Sequence, residues 1–181
     1  MPFERIYVLG TCGSGKSYLA RELSEILGIK HYDLDDIFWE RKFGKKRDKK
    51  ERLKLFRKLC NKKKWIVEGA YSVWIDYGIK KSDLVIVLDT KIPVSLWRII
   101  KRTIKREKSK KLGKDRYNES WQDLIGLIKA VLKYKKKKGY GRGYHKQREI
   151  IKKHNAEFIH IKNKRQLKCF LKELEKLQNI H

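Results

Sequence analysis

Acidic residues are scarce in this chain. Its 181 residues carry 21 Asp and Glu against 48 Lys and Arg, a formal charge of +27. Ion-pair networks raise both signs together, so they do not account for the excess. A field this positive attracts polyanions, whether ATP, nucleic acid or acidic lipid. Adhesion to nucleic acid at low salt follows from charge alone and does not separate function from composition. Cysteine is scarce too. Cys12, Cys60 and Cys169 are odd in number and far apart, so neither a disulfide framework nor a zinc site is suggested. No apolar run approaches the ~20 residues of a membrane span, and no charged, then apolar, leader precedes the first strand candidate. A reducing cytoplasm is the expected setting, with no membrane partner. Neither an internal repeat nor a second domain is visible, so residues 1–181 are expected to form one domain with a single core.

What is present begins with Gly10–Ser17, which reads Gly-Thr-Cys-Gly-Ser-Gly-Lys-Ser and completes the pattern G-x-x-x-x-G-K-[ST]. Glycines let successive backbone N–H groups turn inward around an anion. In this pattern the lysine reaches the β- and γ-phosphates and the last hydroxyl ligates Mg²⁺, roles that fall to Lys16 and Ser17. The flanks agree. Ile6–Leu9 is an apolar run suited to a buried strand. Leu19, Leu23, Ile26 and Leu27 then repeat at helical spacing, and Gly28 stands where a helix would end. Strand, glycine loop, helix is the context this motif requires. Gly10, Thr11, Cys12, Gly13, Ser14, Gly15, Lys16, Ser17 and Tyr18 are therefore the candidate nucleotide cradle.

Strands and helices alternate along the rest, which argues for an α/β fold with a parallel sheet. The strand candidates are Ile6–Leu9, Lys30–Tyr32, Trp65–Val67, Leu84–Leu88 and Phe158–Ile161. The fourth is the most apolar and is expected at the centre. Helices are predicted over Lys16–Leu27, Lys49–Cys60, Val94–Arg106, Trp121–Tyr134, Lys146–Lys153 and Arg165–Leu177. In the last, Leu167, Leu171, Leu174 and Leu177 share a face, the pattern of core packing. Basic stretches at Arg41–Lys64, Lys105–Arg116 and Lys133–Lys153 interrupt the alternation. The third holds Lys135–Lys138 and a glycine, tyrosine and arginine run, read as a loop near a phosphate site or as an RNA contact through stacking.

The reaction must come from other groups. Asp33, Asp35 and Asp36 follow the second strand candidate, and in α/β sheets the crevice lies outside the carboxyl ends of the strands. Asp35 is the candidate to orient or deprotonate an acceptor hydroxyl; capping of a helix by Asp35 or Asp36 is the structural alternative. Two acids compete for Mg²⁺, Glu68 at the end of the third strand candidate and Asp89 after the fourth, and Glu68 is preferred. Arg98, Arg102 and Arg106 recur every fourth residue on one helix face. Such a row repels itself unless an anion lies against it. Guanidinium groups spread over a transferring phosphoryl group are what an arginine-rich lid supplies.

Taken in order, the phosphate loop, the Asp-rich segment, Trp65–Gly69, Asp83–Asp89 and the arginine helix resemble adenylate-kinase-like P-loop kinases. Leu34–Trp39, Glu68–Ser72 and Leu96-Trp97-Arg98 are most similar to the DNA topology modulation (FlaR-type) group, and the likeness spans nearly the whole chain. The resemblance implies a P-loop NTPase fold with a five-stranded parallel sheet flanked by helices. It also implies a basic lid at about 98–145 and an acceptor segment at about 35–64. Glu68 would take the place of the acid near Mg²⁺, Arg98 and Arg102 that of the paired arginines opening the lid, and Asn163 and Lys164 would lie near the adenine. Two departures stand out. Adenylate kinases grip the monophosphate with an acceptor-region arginine, where this chain has Phe38 and Trp39 with Arg41 nearest. They also carry Pro-Arg where this chain has Tyr71-Ser72.

The expected activity is an ATP- and Mg²⁺-dependent phosphotransferase. Its acceptor would be a small molecule, with a nucleotide or nucleoside first. Lys16, Asp35, Arg98 and Arg102 would be the catalytic residues, and Ser17 and Glu68 the metal ligands. Two other readings stand beside it: a polynucleotide 5′-hydroxyl kinase, and a nucleic-acid-binding ATPase linked to DNA topology.

Overall fold

The computed structural model describes residues 3–40, 44–111, 121–134 and 143–178. Arg41, Lys135–Lys138 and most of the glycine run that follows lie outside them. The chain begins with β1 (Arg5–Gly10), α1 (Lys16–Leu27), β2 (His31–Asp33), α2 (Leu34–Phe38) and α3 (Lys49–Cys60). It continues with β3 (Trp65–Gly69), α4 (Asp76–Lys81), β4 (Leu84–Leu88), α5 (Ile92–Lys111), α6 (Trp121–Tyr134), α7 (Tyr144–Lys153), β5 (Phe158–Ile161) and α8 (Lys164–Gln178). The five strands form one parallel sheet in the order β2-β3-β1-β4-β5.

β1, not β4, occupies the middle. Both strands are buried along their length, so an apolar run marks an interior strand without saying which. Side chains of β1 alternate between two cores because strand residues point to opposite faces. Ile6 and Val8 enter an aliphatic layer with Leu19 and Leu23 of α1 and Leu171 and Leu174 of α8. Tyr7 and Leu9 enter a layer rich in aromatics, with Phe56 of α3, Trp65, Ile79 of α4 and Ile151 of α7. On α8 the expected stripe is shorter than its spacing promised: Leu171 and Leu174 enter the core with Leu167 against it, and Leu177 stands 53% exposed.

Two helices were not visible in the periodicity. α2 and α4 are single turns or little more, too short for a repeat to register. A third core, formed by Ile99 of α5 with Leu124 and Val131 of α6, holds those two helices together. No helix among the described residues is long and apolar enough to cross a membrane. Because all strands run the same way, the ends of β1, β2 and β3 open on one edge, and the register sets Val8 beside Glu68 and Asp33 beside Glu68.

Candidate functional site

The loop between β1 and α1 owes its course to its glycines. Gly13 adopts φ +72°, and a Cβ there would meet the Ser95 carbonyl oxygen at 2.4 Å, so the loop lies directly on α5. That is a position for glycine alone. Gly15 stands at the N-cap of α1 and supplies no side-chain bond. The orphan N–H groups of the first turn therefore stay available to an anion.

Lys16 is buried, and its Nζ donates to the Thr11 carbonyl oxygen at 3.0 Å and lies 3.8 Å from Glu68 Oε2. The Ser17 hydroxyl donates to Glu68 Oε1 at 2.5 Å. Burial pushes the Glu68 carboxyl above its ordinary range; the Lys16 charge and the Ser17 bond oppose this, and the nearby Asp33 and Asp35 add to it. A hydroxyl and a carboxylate side by side are hard oxygen donors, the kind Mg²⁺ takes when it arrives with nucleotide phosphates. The residues fit that ion. Asp89 sits elsewhere, with Oδ2 3.2 Å from His160 Nε2 and its N–H bonded to the Ile161 carbonyl.

Across from the loop, Asp33 ends β2 in extended conformation and accepts the Asp35 N–H at 2.9 Å. Asp33 is therefore the cap of α2. Asp35 and Asp36, for which capping was the structural alternative, stand in the first turn, because β2 runs one residue further than its apolar pattern showed. The Asp35 carboxylate accepts the Tyr71 hydroxyl at 2.8 Å. Tyr71 stacks on Phe38 with centroids 4.9 Å apart and planes at 27°, and the Arg52 guanidinium covers Phe38 at 4.8 Å.

These groups enclose a cleft of about 300 Å³. Its walls are Cys12, Gly13 and Gly15–Tyr18 of the loop, the carboxylates Asp33, Asp35 and Glu68, the turn Gly69-Ala70, and Arg98, Arg102 and Arg106 of α5 with Ile99 and Leu127. The three arginines do face one space. Arg98 Nη1 donates to the carbonyls of Ser14 at 3.0 Å and Gly13 at 3.3 Å, which holds α5 against the loop. Gly10, Thr11 and Ser14 support the loop from behind without lining the cleft. Asn163 does not line it either: its Oδ1 accepts the Gln166 N–H at 2.9 Å and caps α8 beside an exposed Lys164. Tyr71 and the Gly69-Ala70 turn are the site residues that sequence reasoning missed. The traces were the likeness of Glu68–Ser72 to the FlaR-type group and Tyr71-Ser72 standing where adenylate kinases differ.

A loop of this kind between the central strand and a helix, on a five-stranded parallel sheet, defines an α/β P-loop NTPase. Residues 6–123 match the AAA domain family, and the chain belongs to it. The uncharacterized protein YqaC of Bacillus subtilis (strain 168) is 37% identical over 119 residues, 65% of this chain and 67% of that protein. Three solved structures share the fold at low identity. Shikimate kinase from Acinetobacter baumannii, in complex with shikimate, superposes with a TM-score of 0.54 at 20% identity over 95% of this chain and 90% of that one. A gluconokinase from Sinorhizobium meliloti 1021 gives 0.54 at 15% over 96% and 90%. Shikimate kinase from Bacteroides thetaiotaomicron gives 0.53 at 16% over 98% and 99%. The fold is that of small-molecule P-loop kinases.

Proposed function

We propose that this chain is an ATP- and Mg²⁺-dependent phosphotransferase that moves the γ-phosphoryl group of ATP to the hydroxyl of a small acceptor. One observation carries the reading: a phosphate loop, an acidic wall and an arginine wall face each other across a single cleft. Loop N–H groups and Lys16 hold the phosphates. Ser17 and Glu68 hold Mg²⁺, which when bound neutralises charge on the β- and γ-oxygens. Asp35 orients the acceptor hydroxyl and takes its proton as the new P–O bond forms and the bond to ADP breaks. Arg98 and Arg102 lie where charge spreads over the transferring group. The acceptor segment at about 35–64 and the lid at about 98–145 belong to this proposal.

Acceptor identity is the finer part. The likeness to the DNA topology modulation group and to adenylate kinases puts a nucleotide or nucleoside first. The shikimate bound by one similarly folded kinase, and the gluconokinase among the others, add small hydroxylated acids. The charge of +27 supports a polynucleotide 5′-hydroxyl as a second reading. The test is incubation with γ-labelled ATP and separate panels of nucleosides and nucleotides, shikimate- and gluconate-like acids, and 5′-hydroxyl oligonucleotides. Label on a small acceptor supports the reading, and label on the oligonucleotide supports the second. Phosphate release alone, stimulated by DNA, overturns both in favour of a nucleic-acid-dependent ATPase.

A further inference from the structure

Gln147, far along the chain from every motif, is fully buried and uses both ends of its amide. Its Nε2 donates to the carbonyls of Ala70 at 3.3 Å and Tyr71 at 3.1 Å. Its Oε1 accepts the Tyr134 hydroxyl at 2.6 Å. The partners belong to two different parts of the molecule, the Ala70-Tyr71 turn and the end of α6. Ala70 lines the cleft and Tyr71 bonds Asp35. Tyr134 ends α6, which packs through Leu124 and Val131 on Ile99 of the arginine-bearing α5. Gln147 itself is anchored because Ile150 and Ile151 of α7 enter the aromatic core.

A buried amide with three good partners is costly to disturb. Loss of its N–H groups would leave two partly buried carbonyls without their donor. Polar networks of this kind specify one arrangement where apolar packing tolerates several. Burial also pushes the Tyr134 phenol far above its ordinary range, so it remains a hydrogen-bond donor at every working pH.

We propose that Gln147 clips the helix pair α5–α6 to the Ala70-Tyr71 turn, and that Gln147 and Tyr71 together are positioning residues that aim Asp35 into the cleft. The proposal rests on the reading of Asp35 as the acceptor-facing carboxylate. Neither residue touches the reacting atoms. The chain of contacts runs from the Gln147 amide to the turn, from the turn to the Tyr71 hydroxyl, and from there to the carboxylate.

The test compares Tyr71→Phe, Gln147→Leu and the milder Tyr134→Phe, which removes only a hydroxyl, with Asp35→Asn as reference. Two readouts are used. One is transfer from γ-labelled ATP to the acceptor found in the panel, with acceptor and ATP varied separately. The other is hydrogen exchange of amides 69–75 against amides 10–17. Tyr71→Phe and Gln147→Leu are expected to lower kcat/KM for the acceptor by about tenfold while KM for ATP holds. The double variant should be no worse than the poorer single, since both act through one carboxylate. Gln147→Leu and Tyr134→Phe should speed exchange at 69–75 and leave 10–17 protected. Wild-type acceptor kinetics in the Tyr71 and Gln147 variants beside a crippled Asp35→Asn would overturn the positioning while leaving the function intact. So would additive losses, unchanged exchange at 69–75, or equal damage to ATP and acceptor. Full transfer by Asp35→Asn overturns the functional reading and the positioning with it.

Discussion

The two walls of the cleft are built on opposite principles. The phosphate wall is local: within Gly10–Ser17 the loop makes its own backbone turn, Lys16 bonds Thr11 five residues back, and the first turn of α1 completes the cradle. The wall proposed to receive the acceptor is assembled from remote pieces. Asp35 is held by Tyr71, 36 residues away, and the Tyr71 carbonyl is held by Gln147, 76 residues further on. A nucleotide's triphosphate presents the same anion in every such protein, so a short backbone device suffices. An acceptor differs from one enzyme to the next, and a wall made of several segments can change shape by altering any of them.

The sharpest way to break this contrast is at Asp35. Asp35→Asn should lower transfer by about 10²–10⁴-fold, the usual worth of a positioned acid–base group, while Mg·ATP binding is retained. Glu68→Gln should instead raise the Mg²⁺ concentration needed for turnover. It should also change the response to pH. Because burial raises the folded Glu68 carboxyl above 4.5, the wild type is favoured below that value and loses stability as pH rises through the folded pKa. Glu68→Gln removes that loss, and thermal melts across pH measure it. Equal loss of Mg·ATP affinity in both variants would mean the walls are not separate.

Lys16→Ala attacks the local wall. Removal of a charge-assisted contact to a desolvated phosphate should cost about 2–4 kcal/mol in ATP binding or in turnover, with the fold preserved. Titration calorimetry and initial rates that both match the wild type would refute it. Gly13→Ala should cost about 1–3 kcal/mol of folding stability, since φ +72° disfavours a side chain and the Ser95 carbonyl lies 2.4 Å from the added Cβ. Denaturant unfolding measures that loss, and a neutral result would show that the loop can lift off α5.

The smallest effect is expected at the end of the sheet opposite the cleft, where β1 and β4 begin, which serves as a control for both walls. Asp83 accepts the Glu4 and Arg5 backbone N–H groups and pairs with the Arg5 guanidinium at 2.6 Å. Burial pushes its carboxyl up, but these donors outweigh it and hold the group below its ordinary 3.8. Its stabilisation is therefore present above pH 3.8 and is lost as pH falls through the lowered value. Asp83→Asn should cost about 0.5–1 kcal/mol at neutral pH, discounted for a half-open pair, without changing turnover. A change in transfer rate would show that the far end of the sheet is coupled to the cleft.

By itself the sequence determined whatever depends on neighbours along the chain. The phosphate loop, the core strands, α1, α3 and the arginine row are written in spacings of a few residues, because backbone turns, strand alternation and helical periodicity are local properties. Tertiary structure decided the rest. That β1 lies at the centre, that Asp33 and not its neighbours caps α2, that Glu68 and not Asp89 meets Ser17, and that Gln147 holds the turn before α4 all depend on which segments meet across the sheet. A buried hydrogen bond carries no spacing rule. Its partners are chosen by the fold and are satisfied only there, so no pattern in the chain announces a tyrosine that aims a carboxylate or a glutamine that holds the tyrosine in place.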